Sequence, residues 1–270
     1  MKPPYLELSG TELLIAVALI LVNGAVSVWL RLGLERSLTI AALRTIIQLS
    51  LIGIVLEIVF DVDRPALILG LMLIMTLIAG SAACDRAGYR YPGVRLNSII
   101  AVWTSSWIIL AITLGGIIPI RPWYNPQYAI PLLGMLLGNA LNGISLGLDR
   151  IQAGIDRDRN QIEMLLCLGA SRWEAARDTV RDAIRTGLTP IINSMAVVGL
   201  VSLPGMMTGQ LLSGVAPEHA IRYQIVIMFL IASTTALGTV LIVLMTFQRL
   251  FTSSHRLDVR QLRKAGRNRR

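Results

Sequence analysis

The stretch YQIVIMFLIASTTALGTVLIVLMTFQ, residues 223–248, indicates the fold class of this chain, because its 26 residues include no charged side chain. A helix rises 1.5 Å per residue, so about 20 apolar residues cross a hydrocarbon core about 30 Å thick. Apolar blocks of similar length recur along the 270 residues. They predict an all-α polytopic membrane protein with about seven transmembrane helices, at 10–30, 38–60, 65–84, 96–118, 129–148, 188–213 and 223–248.

The composition excludes an ordinary soluble domain. Hydrophobic residues make up 54% of the chain and charged residues 15%, whereas soluble domains have about 25% charged residues. The net charge of +9 lies mainly between the apolar blocks, where it sets the orientation of the chain in the membrane rather than binding nucleic acid. We therefore expect membrane lipid, and no nucleic acid, among the partners.

The distribution of Lys and Arg predicts the topology. Twenty of the 25 fall in four segments that the predicted spans leave on one side, namely 31–37, 85–95, 149–187 and 249–270. The other side holds four, which are Lys2, Arg64, Arg121 and Arg222. Because short loops rich in Lys and Arg stay in the cytoplasm, we expect the N-terminus outside and the C-terminus inside. The tail, 249–270, is then a basic cytoplasmic extension that binds anionic lipid head groups.

The longest cytoplasmic segment of this topology, 149–187, mixes polar and apolar residues at helical spacing, which predicts a helix, a break and a second helix. Gly169 suits the left-handed conformation that ends a helix, and Ser171 with Glu174 has the spacing of a capping box. Trp173 is then displayed at a sharp corner, where a partner protein can hold it. An amphipathic hairpin resting on the membrane surface is the alternative.

This segment resembles the EAA-type loop of ABC-transporter permeases, in which a Glu stands six residues before a Gly on a short helix that docks into the ATPase. Glu163 and Gly169 have that spacing, although Met164 and Leu165 replace the two alanines that follow the Glu in the family. The resemblance implies a cytoplasmic helical coupling loop at 149–187. The ATPase-coupling residues that we expect are Glu163, Gly169, Ala170, Ser171, Arg172 and Trp173.

Three longer blocks resemble the FetB family of bacterial permeases: GMLLGNALNGISLGLDR at 134–150, INSMAVVGLVSLPGMMTGQLLSG at 192–214 and RYQIVIMFLIASTTAL at 222–237. The family is linked to iron export, and its plant relatives to aluminium tolerance. The resemblance implies one permease domain, 1–270, in the cell inner (plasma) membrane, paired with a separate cytoplasmic ABC ATPase. We expect a homodimer that exports iron or another metal by alternating access.

The chain has no G-x-x-x-x-G-K-[ST] loop, which is the motif that cradles nucleotide phosphates. We therefore expect no cofactor and no enzymatic activity in this chain. ATP and Mg²⁺ would be bound by the partner subunit, which would also hydrolyse the ATP.

Polar residues in the fifth and sixth predicted spans are candidates for the substrate pathway. Gly134, Gly138 and Asn142 recur every four residues, which predicts a face that another helix approaches closely. Pro204 breaks the sixth span, as happens where a segment lines an aqueous path or is buried in protein. Tight helix packing is the alternative. The pathway candidates in these spans are Asn139, Asn142, Asn193, Ser194, Pro204, Met206, Met207 and Gln210.

The second span contains two charged residues, Arg44 and Glu57, with Gln48 one turn after Arg44. A charge inside a bilayer costs about 3 kcal/mol unless it faces the protein interior, so Arg44 and Glu57 are pathway candidates. Gln48 is a candidate beside Arg44. Snorkelling of the charged groups to the head groups is the alternative. A secondary transporter or channel that uses Arg44 and Glu57 is the first rival function. A membrane scaffold that moves nothing is the second.

The sequence contains no cluster of His, Cys or carboxylates with the spacing of a metal site. Glu57, Met206 and Met207 are the weak candidates, since thioethers bind soft ions, but methionine is also a common filler of apolar cores. Both histidines, His219 and His255, fall in polar segments. The metal ligands are therefore unknown, and we expect a metal to be held weakly or as a complex.

Overall fold

The computed structural model describes residues 10–62, 64–252, 256–258 and 263–264, so Lys2, His255 and most of the predicted basic tail lie outside the described residues. Two short strands, β1 (Tyr89–Arg90) and β2 (Arg263–Lys264), pair in antiparallel fashion. The helices are α1 (Gly10–Trp29), α2 (Glu35–Val62), α3 (Pro65–Asp85), α4 (Val94–Ile112, continued by a π-helical turn, Thr113–Ile117), α5 (Pro126–Arg157), α6 (Arg159–Cys167), α7 (Arg172–Val197), α8 (Gly205–Leu212) and α9 (Pro217–Leu250).

The all-α membrane class is confirmed. Within the described residues, six helices are long and apolar enough to cross a membrane, namely α1, α2, α3, α4 with its π-helical turn, α5 and α9. They coincide with six of the seven predicted spans to within a few residues at most ends, although α5 runs nine residues past its predicted end. The total of seven and the orientation of the termini stay predictions.

The remaining predicted span, 188–213, is interrupted, but not where the sequence placed the break. Its first part is the end of α7, which begins in the predicted loop and stops at Val197. Gly199 then adopts a left-handed φ of 83°, which turns the chain. Pro204 is the residue before α8, so the expected break within one span is instead a turn between two helices. The Pro204 carbonyl accepts the Thr208 amide at 3.0 Å and is not left free.

The chain divides into two compact units, Met1–Arg64 and Pro65–Arg270. In the first unit α1 packs against α2. The Ser27 hydroxyl joins the two helices, because it donates to Glu35 Oε2 at 3.1 Å and accepts the Leu34 amide at 3.0 Å.

The second unit is built around α5, which contacts α3, α4, α7 and α9. The helix begins where Asn125 Oδ1 accepts the Gln127 amide at 3.0 Å and Pro126 takes the first helical position, both favourable at an N-terminus. Its 32 residues rise about 48 Å, which exceeds the thickness of a hydrocarbon core. One end of α5 therefore extends beyond the apolar layer.

That extension lies at the charged end of the second unit, by which we mean the end where Asp85, Arg95, Asp149 and Arg249 stand. The loop between α3 and α4 is fixed to α5 there. The Gly88 amide donates to Asp149 Oδ1 at 2.8 Å, and the hydroxyl of Tyr89 donates to Asp156 Oδ2 at 2.9 Å. Because α9 is a 34-residue helix that finishes at this end, its first residue, Pro217, lies at the opposite end.

Candidate functional site

The predicted corner in 149–187 is present as an elbow between α6 and α7, formed by residues 163–174. The end of α6 is a Schellman turn, in which Gly169 has a φ of 92°. The Ala170 amide donates to the Leu165 carbonyl at 3.0 Å, and the Gly169 amide to the Leu166 carbonyl at 3.1 Å. These bonds satisfy the last carbonyls of α6, so the direction of the chain is fixed locally.

The predicted capping box begins α7. Ser171 Oγ accepts the Glu174 amide at 3.3 Å, and the Ser171 amide donates to Glu174 Oε2 at 2.8 Å. The backbone and hydroxyl of Ser171 hold the pKa of Glu174 below its ordinary value, because they donate to the ionised carboxylate. Arg172 follows as the first residue of α7 and is half-buried.

The outer surface of the elbow is apolar. Met164, Leu168 and Trp173 are exposed to 56%, 77% and 46%. Glu163 is paired along its own helix, where Arg159 Nε donates to its Oε1 at 2.8 Å, and its role in coupling stays a prediction. Sequence reasoning did not assign Met164 and Leu168 to the coupling set. A signal was present, since α6 has more apolar residues than the single buried position at Ile162 requires.

Trp173 also contacts the membrane-spanning part of the molecule. Its ring meets the ring of Phe247 on α9 edge to face, with centroids 5.7 Å apart and planes at 83°. Phe247 is buried and packs in turn on Phe251, with centroids 4.9 Å apart. The elbow is thereby connected directly to the end of α9.

Helices α5, α7 and α9 meet at a junction of glycines, which we call the glycine junction: Gly143, Gly147 and Gly187 against Thr235 and Thr239. A Cβ on Gly187 would lie 2.5 Å from Thr239 Cγ2 and 2.7 Å from the Gly143 carbonyl. A Cβ on Gly143 would lie 2.5 Å from Thr235 Cγ2. The backbones therefore approach as closely as the absence of side chains allows.

The close approach predicted at Gly134, Gly138 and Asn142 is not found within the described chain. A Cβ on Gly138 would meet no heavy atom within 4 Å, and Asn142 is exposed. The reason is that α7 and α9 cover the neighbouring face of α5. The Asn142 side chain instead accepts a hydrogen bond at 2.8 Å from Arg86, which follows α3, and Asn139 donates to the Met135 carbonyl of its own helix at 2.9 Å.

The structure separates the other pathway candidates of the second unit into two groups. Asn193 and Ser194 are exposed on the last turns of α7. The other group, Met206, Met207 and Gln210, is half-buried on α8, where Gln210 Oε1 is buried without a hydrogen-bond partner among the described residues. These two groups lie on different helices on either side of the turn 198–204.

Arg44, Gln48 and Glu57 belong to the first unit, where all three lie exposed on α2. Within the described residues their side chains make no hydrogen bond or ion pair. Their assignment to a pathway stays a prediction.

The part of the chain that the structure describes contains no group of three or more His, Cys, Asp or Glu that could hold a metal ion. Cys84 is buried in α3. Cys167 is exposed at the end of α6.

Comparison with known proteins identifies the family. The model of an uncharacterised protein family, UPF0014, matches residues 10–251. A UPF0014 membrane protein of Synechocystis is 41% identical over 86% of this chain and 89% of its own length. The probable iron export permease protein FetB of Escherichia coli is 34% identical over 96% of this chain and 98% of its own.

A plant protein, ALUMINUM SENSITIVE 3 of Arabidopsis thaliana, is 29% identical over 90% of this chain and 88% of its own length. No solved structure matches the chain. The family match covers all of the described helices, from the start of α1 to the residue after α9. The chain is therefore a multi-pass membrane protein that belongs to the UPF0014 family.

Proposed function

We propose that this chain is the membrane permease subunit of an ATP-driven ABC transporter, and that its elbow is the docking point of a separate ATPase. The observation that supports this most directly is the elbow itself. Its backbone is fixed by the Schellman turn at Gly169 and the capping box at Ser171, yet its outer surface exposes Met164, Leu168 and Trp173. A rigid apolar knob of this kind fits a groove in a partner protein.

The elbow is also placed to transmit motion. A force on the tip of α6 reaches α7 through the four residues 168–171, because both ends of the corner are hydrogen-bonded. Trp173 passes it to α9 through Phe247, and the glycine junction passes it to α5. Closely packed backbones shift as units rather than deforming, so movement of the elbow would tilt these helices together. We infer alternating access by this route.

The pathway would lie between two copies of the chain. Gly138 and Asn142 on α5, and Asn193 and Ser194 on α7, are exposed, although they lie on helices that pack among apolar spans. Exposed amides are unfavourable against lipid, so these faces are expected to meet water or a second copy. A homodimer with two ATPase subunits satisfies both requirements. The pathway residues of α2 stay candidates on the same reasoning.

Iron, or another metal, is the proposed substrate, and export from the cell across its inner membrane is the proposed direction. Both rest on the relative named as a probable iron export permease, which is aligned with 96% of this chain. ATP and Mg²⁺ would be bound by the ATPase partner alone. The described residues offer no metal cluster, so the metal would be held weakly or as a complex.

The test begins by asking whether an adjacent reading frame encodes a P-loop ATPase, and then reconstitutes the chain in liposomes with that ATPase. We expect the chain to stimulate ATP hydrolysis and to move iron only when ATP is supplied on the side of the elbow. Leu168→Glu should abolish both, since a charge on the knob cannot enter an apolar groove without losing its hydration. Iron movement by the chain alone, driven by an ion gradient, would support the rival secondary transporter instead.

A further inference from the structure

The turn that joins α7 to α8, residues 198–204, lies within the apolar layer rather than at its surface. The glycine junction gives the reference level, because a Cβ on Gly187 would lie 2.5 Å from Thr239 Cγ2. Val197 ends α7 about 15 Å beyond Gly187, towards the far end of the second unit, by which we mean the end where α9 begins. Arg222, the last charged residue before the apolar part of α9, is about 25 Å beyond Thr239. The turn therefore begins about 10 Å deeper than Arg222.

The course of α8 agrees with this depth. α8 packs against α9, and only residues 213–216 separate its end from Pro217, the first residue of α9. Its eight residues rise about 12 Å. α8 therefore returns the chain from the turn to the far end of the second unit.

The backbone of the turn is only partly hydrogen-bonded. The Val197 carbonyl accepts three amides of the turn at 3.0–3.4 Å, and the Gly199 amide donates to the Ser202 carbonyl at 2.9 Å. The carbonyls of 198–201 accept no hydrogen bond from any described residue, and the amides of 205–207, at the start of α8, donate none to one. Backbone groups without partners are strongly unfavourable in hydrocarbon. Lipid therefore cannot cover this turn.

The side chains of the same turn are apolar and exposed. Leu200, Val201 and Leu203 are exposed to 88%, 83% and 54% in one chain. Irregular backbone at membrane depth is tolerated where it lines water or is buried in protein, and a group of large exposed apolar side chains favours burial in protein. That protein must itself lie within the membrane, so the cytoplasmic ATPase is not the partner.

The turn is complementary to itself. The free acceptors, which are the carbonyls of 198–201, stand a few residues from the free donors, which are the amides of 205–207. The donors of one copy can therefore meet the acceptors of another, as happens in a twofold dimer, where the same patch lies on both sides of the interface. The patch also continues the exposed polar end of α7, at Asn193 and Ser194, which is already expected to face water or a second copy.

We propose that the turns 198–204 of two copies pack against each other, and that this contact closes the pathway at its far end, which the predicted topology places outside. The inference rests on the proposed transport role and adds the position of its external gate. α7 is one helix from the cap at Ser171 to Val197, so it joins the elbow directly to the turn. A tilt of α7 that begins at the elbow parts the two turns.

The test places a nitroxide spin label at Val201→Cys in the full chain, purified in nanodiscs without any ATPase. Cys167→Ser removes the exposed cysteine, and Cys84 is buried. We expect dipolar coupling at a label-to-label distance of about 10–20 Å, because packed backbones lie about 10 Å apart. The control is Phe229→Cys, since Phe229 is exposed on the continuous helix α9, about 15 Å beyond Thr239 and so at the depth of the turn.

Accessibility to quenchers identifies what covers the label. At Phe229 we expect access for oxygen dissolved in the lipid, and at Val201 access neither for oxygen nor for a water-soluble nickel complex. Oxygen access at Val201 equal to that at Phe229 would assign the turn to lipid, and access for the nickel complex would assign it to water. Protection without coupling would mean that another surface covers the turn. Each of these three results overturns the inference, and a label at Leu203→Cys gives the same reading if Val201→Cys does not fold.

Addition of the ATPase tests the gate. ATP with vanadate should shift the Val201 distance to longer values, while copurification of the ATPase, which depends on the elbow, stays at the parental level. An unchanged distance in a complex that transports would refute the gate. A short distance in a complex that shows no ATP-driven transport would refute the transport role alone, and ATP-driven transport by a chain whose labels do not couple would refute the contact alone.

Discussion

The rings of Trp173 and Phe247 meet edge to face, with centroids 5.7 Å apart, and this contact joins the corner of the elbow to the membrane-spanning core. We expect Trp173→Ala to destabilise the chain as well as to weaken ATPase docking. A double-mutant cycle with Phe247→Ala, followed by chemical unfolding in detergent, should give a coupling free energy of about 1 kcal/mol, as for other aromatic pairs. A coupling free energy near zero would mean that the two rings are merely adjacent.

Leu168 should separate docking from stability, because it is 77% exposed and removing it leaves no cavity. We expect Leu168→Ala to reduce copurification of the ATPase and its stimulated hydrolysis several-fold, as for an anchor residue in an interface. The melting temperature of the chain should not change. The matched control is Leu200→Ala, since Leu200 is 88% exposed in the turn after α7, far from the elbow along the chain. Equal loss of ATPase binding in both variants would argue against the elbow.

The glycine junction predicts that glycines that look alike in the sequence differ in how far their replacement by Ala destabilises the chain. Gly187→Ala would place a methyl group 2.5 Å from Thr239 Cγ2 and 2.7 Å from a backbone carbonyl. It should reduce the free energy of unfolding by about 1–3 kcal/mol through overpacking. Gly138→Ala is the control, because a Cβ there meets nothing within 4 Å in one chain. If Gly138→Ala instead destabilises the chain more than Gly187→Ala does, and the dimer is lost, then Gly138 lies at the contact between two copies.

The sequence predicts features that depend on neighbouring residues, and it does not predict features that depend on which helices pack together. The turn at Gly169 and the cap at Ser171 depend on residues within five positions, so spacing alone locates them. The glycine junction depends on which helices become neighbours of α5, and a periodic run such as Gly134, Gly138 and Asn142 does not reveal that. Gly143 and Gly147 have the same four-residue spacing, and only tertiary contacts with α7 and α9 distinguish them.

The sequence analysis did not predict that α7 continues from the cytoplasmic loop into the sixth predicted span. Hydropathy divides a chain into apolar spans and polar loops, and Arg177, Arg181 and Arg185 place the first half of α7 in a loop. A helix does not end where its polarity changes, however, but where its backbone is capped or turned. In α7 this happens at Ser171 and after Val197. The helix therefore extends from the elbow into the predicted span without interruption.

The capping box should depend on pH through Glu174. Its pKa is lowered in the folded chain, so the stabilisation is fully present above the unfolded pKa, about 4.3, and is lost as the pH falls through the lower folded value. We expect the Ser171 amide to be protected from hydrogen exchange at neutral pH and to lose protection in acid. Glu174→Gln is the reference at each pH. If the Ser171 amide of the parent still exchanges more slowly than that of Glu174→Gln in strong acid, the ionised Glu174 carboxylate is not the source of the protection.

Removing the cap itself should loosen the elbow without changing the spans. Ser171→Ala removes the acceptor of the Glu174 amide, which costs about 1 kcal/mol at a typical helix N-terminus. We expect faster exchange of amides 171–175 and weaker coupling of ATP hydrolysis to transport. Ser213→Ala is a matched control, since its hydroxyl only bonds the Gly209 carbonyl of its own turn. Unchanged coupling in Ser171→Ala would show that the elbow does not need its cap.

The crossing made by α7, the turn 198–204 and α8 determines the orientation of the C-terminus. Trp173 contacts Phe247 at the charged end, whereas α9 begins at Pro217 at the opposite end, so the chain between them passes from one end to the other. Reporters fused after Arg121 and after Ala216 should therefore lie on the same, external side. Reporters after Leu168 and after Thr252 should both be cytoplasmic.

The physical reason for this orientation is the concentration of 20 of the 25 Lys and Arg residues in the segments on the elbow side. Accessible cysteines at the same four positions, labelled by an impermeant reagent in intact cells, provide an independent measurement. An external reporter after Thr252 together with a cytoplasmic one after Ala216 would mean that α7 and α8 enter and leave on one side. In that case six helices cross the membrane, and α9 would have the opposite direction to the one that its contact with the elbow requires.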